Sequence, residues 1–159
     1  MADVMRWRYG DTSPVVLPVD SATVIEIGDL VYLATDDVRP ASAVTYGASL
    51  AATQETFHDA FVGVAMQRSR NGDTQPIRVA TSGVFEFACA SATFEIGARI
   101  GVDDNAGGDA LEDQQVIAVS SSNPERSIGV CAKRVPSAGT QVLVDIVSTV
   151  LKGGPQAAA

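Results

Sequence analysis

The chain has 159 residues, the size of one ordinary domain or of two half-sized units that share a core. Its hydrophobic fraction of 46% is enough to bury an interior. The net charge of −8 argues against a nucleic-acid partner, because such proteins need a positive face to displace counterions. One His and two Cys leave little material for a metal site or a catalytic triad, so no catalytic, metal or cofactor-binding residue is predicted.

Neither a membrane span nor a secretory signal is predicted. No stretch approaches the roughly 20 continuous apolar residues that cross a bilayer, and residues 1–9 contain no apolar run. Cys89 and Cys131 lie in apolar runs typical of strands, which favours two buried small side chains and leaves a disulfide open. These features predict synthesis inside the cell and no membrane partner.

Residues 1–14 are predicted to form an extended N-terminal arm. Arg6, Trp7, Arg8 and Tyr9 are of the types enriched at binding hot spots, since they bury large areas and offer planar hydrogen-bonding groups. We expect these four residues to form a partner interface, with strand addition as one route. The alternative is that Trp7 packs on the protein's own core.

Residues 15–152 are predicted to form a single all-β domain resembling a small barrel or sandwich. Short Val- and Ile-rich segments alternate with Gly, Asp, Ser and Pro, which is typical of strands in such folds. Asn71-Gly72 favours a hairpin turn. The predicted strands are Val24–Ile27, Leu30–Leu33, Ile77–Ala80, Val84–Phe87, Val116–Val119 and Val142–Val147.

One helix is predicted over Ser49–Phe61, where Leu50 and Phe57 recur at helical spacing and Ser49 can serve as N-cap. We expect it to cover the β domain like a lid. His58, the chain's single His, is predicted to be a partly exposed helix residue without a catalytic partner.

The clusters of acidic and hydroxyl residues give only weak indications of metal binding or catalysis. The loop of residues 103–113 matches a calcium-binding EF-hand at positions 1, 3 and 6 but not at 5 and 12, so a solvated hairpin loop is predicted. Glu86 and Glu95 fall at strand positions that suit a solvent face. Ser120–Ser122 lacks a nucleophile motif and is predicted to be a loop.

The β framework shows an internal repeat. Ser21-Ala22-Thr23 followed by Glu26-Ile27-Gly28 recurs as Ser91-Ala92-Thr93 followed by Glu95-Ile96-Gly97. Further blocks follow in the same order at offsets that drift from 70 to 65 residues, with Arg68 matching Arg134. We therefore predict two similar halves, about 15–88 and 89–152, that share one core. Residues 153–159 are predicted to be a flexible tail.

The order of the strand motifs resembles the head-decoration, or capsid cement, proteins of tailed phages. The resemblance spans roughly Val15 to Val150 and rests on the order of its motifs. These are VVLPVDSATVIEIGDLVYL, FVGVAMQRS, IRVATSGVFEFACASATFEIGARIGV, LEDQQVIAV, IGVCAKRV and VLVDIVSTV.

The resemblance implies a non-enzymatic protein on the outer surface of an icosahedral head, made in the host cytoplasm. It implies binding to the major capsid protein after expansion and self-association, with a homotrimer expected. It also implies an N-terminal arm that engages the capsid, although no family motif maps to Arg6 or Trp7 individually.

Two other classes of function compete with this interpretation. A β-barrel module that binds carbohydrate or a host surface could share the fold. It predicts a cluster of exposed aromatic side chains, and aromatic residues are few here, at 6%. An enzyme is the third class of function. Hydrolase activity that is abolished by changing Glu86 or Glu95 would support it.

Overall fold

The computed structural model describes residues 4–156, which form eleven strands and two α-helices. Two 3-10 helices cover Ala41–Ala43 and Pro124–Arg126. The strands are β1 (Arg6–Tyr9), β2 (Val15–Leu17), β3 (Leu30–Ala34), β4 (Asp37–Pro40), β5 (Phe61–Ala65), β6 (Ile77–Ala80), β7 (Ser82–Phe94), β8 (Arg99–Asp104), β9 (Leu111–Ala118), β10 (Gly129–Cys131) and β11 (Val135–Val147). The helices are α1 (Leu50–Ala60) and α2 (Thr149–Lys152).

The strands form a barrel and a second sheet, which confirms the predicted all-β, barrel-like fold. Strands β7, β11, β10, β8 and β9 are hydrogen-bonded in that order, and a parallel β7–β9 pairing closes them into a barrel. β1 adds to β7 as an extra strand. The five-stranded second sheet has the order β2-β6-β5-β3-β4.

The two units repeat the same topology, as the internal sequence repeat predicted. β2 to β6 correspond in order to β7 to β11, and the antiparallel neighbours agree pair by pair. The closing β7–β9 contact has a counterpart in the hydrogen bond that Val38 N donates to Pro18 O over 3.0 Å. The repeated topology starts its second unit at β7, from Ser82, and the boundary near residue 88 stays a prediction.

The hydrophobic interior consists of two clusters. The smaller one fills the first unit alone, with members such as Ile25, Val31 and Ile77. The larger one fills the barrel and also takes side chains from the first unit, among them Phe57 and Phe61. The larger cluster therefore spans the junction of the two units, while the first unit keeps an interior of its own.

Helix α1 connects the two units. Ser49 accepts a hydrogen bond from Ala52 N at 3.2 Å, so it is the N-cap that the sequence predicted. Buried Phe57 contacts Tyr32 and Phe61, with ring centroids 6.0 Å and 5.5 Å apart. Gln54 donates to Val102 O of β8 over 2.8 Å, which ties this first-unit helix to the barrel.

The structure tests the predictions made for one strand, for His58 and for the two cysteines. Val24–Ile27 is not a strand, because only Ile25 pairs, with Ser69, and the chain then turns at Gly28. His58 is buried rather than partly exposed, because residues after α2 cover it and Pro155 O contacts its Nε2. Cys89 and Cys131 are buried free thiols, and burial raises the pKa of both.

The flexibility of residues 153–159 stays a prediction. Within this segment Pro155 contacts His58, and Gln156 donates to Gly153 O. Residues 157–159 lie outside the described part of the chain, as do residues 1–3 of the predicted arm.

Candidate partner interface

The four residues predicted as a partner interface form strand β1, which pairs antiparallel with β7. Arg6 lies opposite Glu86 and Trp7 opposite Phe85, with a register shift before Tyr9. All four residues of β1 are exposed. The segment is thus extended as predicted, but it adds to the protein's own barrel and presents its side chains outward from there.

β1 and β9 lie end to end along one edge of β7. β1 pairs near Val84–Glu86 and β9 pairs at Ala88 and Cys89, while β11 occupies the opposite edge of β7. This arrangement brings the beginning of β1 to the side chains of β9.

Gln114 of β9 holds the segment before β1 in place. Its buried Oε1 accepts hydrogen bonds from Val4 N and Met5 N at 2.9 and 3.0 Å. Its Nε2 donates to Ile27 O and to Asp29 Oδ1 at 3.1 and 2.9 Å. One side chain therefore links the N-terminal segment to the barrel and to the turn that leads into β3. A Gln within a strand gives no sequence signal for this role.

Close packing at Gly28 completes the anchor. Gly28 has φ +98°, and a Cβ there would lie 2.9 Å from the Cβ of Met5. A residue without a side chain is required at this position both by the backbone conformation and by the covering Met5. The repeat includes this glycine, but its contact with Met5 could not be read from the sequence.

The outer face of β1 carries a basic group of side chains on an acidic protein. Arg8 forms a 2.7 Å ion pair with Glu86, whose side chain is 12% exposed while that of Arg8 is 49% exposed. Exposed Lys133 lines the same shallow depression as Arg8 and Tyr9. Glu86 does not face solvent openly as predicted, because Arg8 covers it.

Trp7 lines a separate, mainly apolar groove. The groove has a volume of about 440 Å³, and its walls include Arg6, Trp7, Ile27, Met66 and Phe85. Trp7 and Ile27 remain 53% and 44% exposed. Trp7 therefore lines the groove while much of its ring stays accessible, and its part in a partner interface stays a prediction.

The other residues considered for chemistry are placed apart from this strand. Glu95 pairs with Arg134 at 2.8 Å on the surface. The loop after β8 is a hairpin turn, as predicted, in which Asn105 donates to Asp109 over 2.8 Å. Within residues 4–156 no three His, Cys, Asp or Glu side chains gather as metal ligands would. No helix in that same range is both long and apolar enough to span a membrane.

Comparison with known families decides the assignment. A family model described as phage cement protein matches residues 35–146, which is more than half of the chain. The chain belongs to the phage cement protein family. No curated protein sequence matches it.

Membership of the phage cement proteins agrees with the resemblance drawn from the order of the strand motifs. It implies a structural role in the virion capsid and an interaction with the capsid. The matched residues run from the β3–β4 turn almost to the end of β11 and include the barrel strands but not the extra strand β1. The family match therefore supports the scaffold, whereas the case for β1 depends on its geometry.

Proposed function

We propose that this cement protein binds the outer surface of the icosahedral head and stabilises contacts between neighbouring major capsid subunits. The observation that carries the proposal is strand β1. It presents Arg6, Arg8 and Tyr9 on the outside of a chain whose net charge is −8. The strand is fixed by the barrel and by Gln114, so little ordering entropy is lost when it docks.

The basic residues on this face favour a partner surface that carries acidic side chains. Arg8, Tyr9 and Lys133 line one depression and would meet carboxylates on the capsid subunit. The acidic remainder of the protein disfavours the opposite orientation, because it would bring like charges together. Electrostatic complementarity therefore sets which side of the barrel faces the shell.

Stabilisation follows from linkage. A protein that binds the assembled, expanded shell and not its free subunits shifts the equilibrium toward the shell. Many copies on one lattice add their effects, even where each contact is weak. No catalytic group is needed for this, so we propose a non-enzymatic protein. We also propose that the copies associate with each other as homotrimers.

Co-sedimentation with expanded capsids tests the basic face. We expect the double variant Arg8→Gln/Lys133→Gln to bind at least about tenfold more weakly, because two charged contacts are removed. The matched control is Arg70→Gln/Lys152→Gln, which removes the same charge from exposed positions outside β1. Equal loss in both double variants, or no loss in either, would contradict an interface on β1.

A glycan-binding module on the virion is the second candidate, and one observation favours it. Trp7 and Tyr9 of β1 are each 53% exposed, and exposed aromatic rings are groups on which sugars can stack. Trp7 is the only tryptophan, so its fluorescence reports on this site alone. Saturable quenching by a glycan panel in the isolated protein would favour this candidate over the capsid.

A further inference from the structure

The two units present corresponding turns on the surface. Glu26-Ile27-Gly28 precedes β3, and Glu95-Ile96-Gly97 precedes β8. Gly28 and Gly97 have φ of +98° and +83° and donate to Ala65 O and Cys131 O over 2.8 and 2.9 Å. The agreement extends to the flanking charges. Glu26 accepts from Arg68 and Glu95 accepts from Arg134, so the duplication has kept the whole surface unit.

The two turns differ in what covers them. The first is covered by the chain itself, since Met5 packs on Gly28 and Trp7 shares a groove with Ile27. At the second turn a Cβ on Gly97 would meet no atom within 4 Å. Ile96 is 71% exposed, more than any other large apolar side chain in residues 4–156.

The groove beside Trp7 is large enough for the side chain of Ile96, and its lining includes a basic residue that suits the acidic neighbour of Ile96. Its 440 Å³ exceed the volume of an isoleucine side chain, and Met66 and Phe85 give it apolar walls. Arg6 lies on the lining, whereas the residue before Ile96 is the acidic Glu95. An Ile96 seated there would bring Glu95, which also pairs with Arg134 of its own chain, toward Arg6 at the rim of an apolar contact.

We propose that Ile96 of one copy inserts into the groove of a second copy, beside Trp7. The contact deepens the self-association part of the proposed function and supplies its geometry. Trp7 would then lie between Ile27 of its own chain and Ile96 of the neighbour. One aromatic ring would thus cover the corresponding isoleucines of the two repeated turns. A second copy is the occupant because this chain carries both complementary surfaces.

This contact joins two different patches of the chain. In a dimer that forms it only once, one Ile96 and one groove remain uncovered, whereas a closed assembly buries every Ile96 and every groove. A reciprocal dimer and a closed trimer both meet this condition, and we expect the homotrimer of the proposed function. The contact leaves Arg8, Tyr9 and Lys133 accessible for the shell, because these residues line a different depression.

Analytical ultracentrifugation of the full-length protein over a range of concentrations tests the contact. We expect the wild type to form trimers and Ile96→Asp to associate at least about tenfold more weakly, because a charge replaces the inserted apolar side chain. Val150→Asp is the matched control, since Val150 is an exposed apolar residue on α2 and should leave association unchanged. Superimposable thermal unfolding would show that the variants fold.

Cross-linking identifies the partner surface directly. A mixture of Ile96→Cys and Ile27→Cys proteins should give disulfide-linked dimers on oxidation, whereas each protein alone should give few. Cys89 and Cys131 are buried and do not compete. A wild type that stays monomeric at every concentration, or an Ile96→Asp variant that associates normally, would overturn the contact.

The capsid assay separates this inference from the proposed function. If Ile96→Asp loses shell binding while the wild type is monomeric in solution, the turn contacts the capsid and the self-contact is wrong. If the trimer forms but Arg8→Gln/Lys133→Gln binds the shell normally, the proposed shell interface fails and the self-contact stands.

Discussion

Gly63 and Gly129 occupy corresponding positions in the two units, where the backbone of a neighbouring strand comes very close. A Cβ at Gly63 would lie 1.7 Å from Ala80 O, and a Cβ at Gly129 would lie 2.0 Å from Asp145 O. No side chain fits at such distances from a paired strand. The same steric requirement therefore explains both glycines in the repeated Gly-Val blocks.

Replacing either glycine with alanine should destabilise the protein strongly. We expect Gly63→Ala and Gly129→Ala each to lower the free energy of unfolding by about 3 kcal/mol or more, because the strands must separate to admit the methyl group. Chemical denaturation measures this. Gly107→Ala is the control, since its added Cβ meets only side-chain atoms at 3.4 Å and beyond, and an equal loss there would refute the steric explanation.

Asp29 makes the stability of the protein depend on pH. Burial raises its pKa from 3.8 to about 6, although hydrogen bonds from Gln114 and from Glu26 N act in the opposite direction. The native state therefore binds the proton more tightly than the unfolded chain does. This contribution to stability is complete below about pH 4 and is lost as the pH rises through about 6.

Comparison with Asp29→Asn isolates the effect, because the other carboxylates titrate in both proteins. We expect the wild type to lose stability relative to the variant between about pH 4 and pH 6, with a constant difference above that range. Thermal unfolding across this range gives the measurement. A difference that does not change with pH would show that burial of the Asp29 carboxylate does not control the profile.

At the scale of elements, β1 depends on Gln114. We expect Gln114→Leu to lower the free energy of unfolding by about 1–3 kcal/mol, since Val4 N, Met5 N and Asp29 lose a buried partner. β1 should also detach, giving faster amide exchange over Arg6–Tyr9 and a red-shifted Trp7 emission. Gln75→Leu, at an exposed position, should do neither. Unchanged exchange in β1 would mean that pairing with β7 alone holds the strand.

The sequence predicted those elements whose signal is local. Alternating apolar residues located β3, β6, β7, β9 and β11, and Ser49 located the start of α1. Val24–Ile27 has the same composition as a strand but pairs at one residue, because the turn at Gly28 ends the run. Composition cannot distinguish a strand from an apolar segment that lacks a neighbour.

The candidate site could be predicted in part, for a related reason. Arg6 to Tyr9 stand out by residue type alone, and they are exposed as a binding strand must be. Their attachment to β7 and Gln114 joins residues about a hundred positions apart, and no spacing in the sequence encodes it. The burial of His58 was missed for the same reason, since Pro155 covers it from the far end of the chain.

At the scale of the whole molecule, the two units share one topology, and the additional strand β1 distinguishes them. The two units are alike, but the N-terminal segment covers the first turn and leaves Ile96 bare on the second. In the two proposals above, β1 would face the shell and Ile96 would face a neighbouring copy. The asymmetry between the two units would then supply both surfaces from a repeated scaffold.

A density map of the assembled phage head tests the central claim most directly. The account predicts density for this chain on the exterior of the shell, with the basic face of β1 toward the major capsid protein and copies grouped around three-fold positions. Density inside the shell, or density on the exterior with β1 turned to solvent, would contradict it.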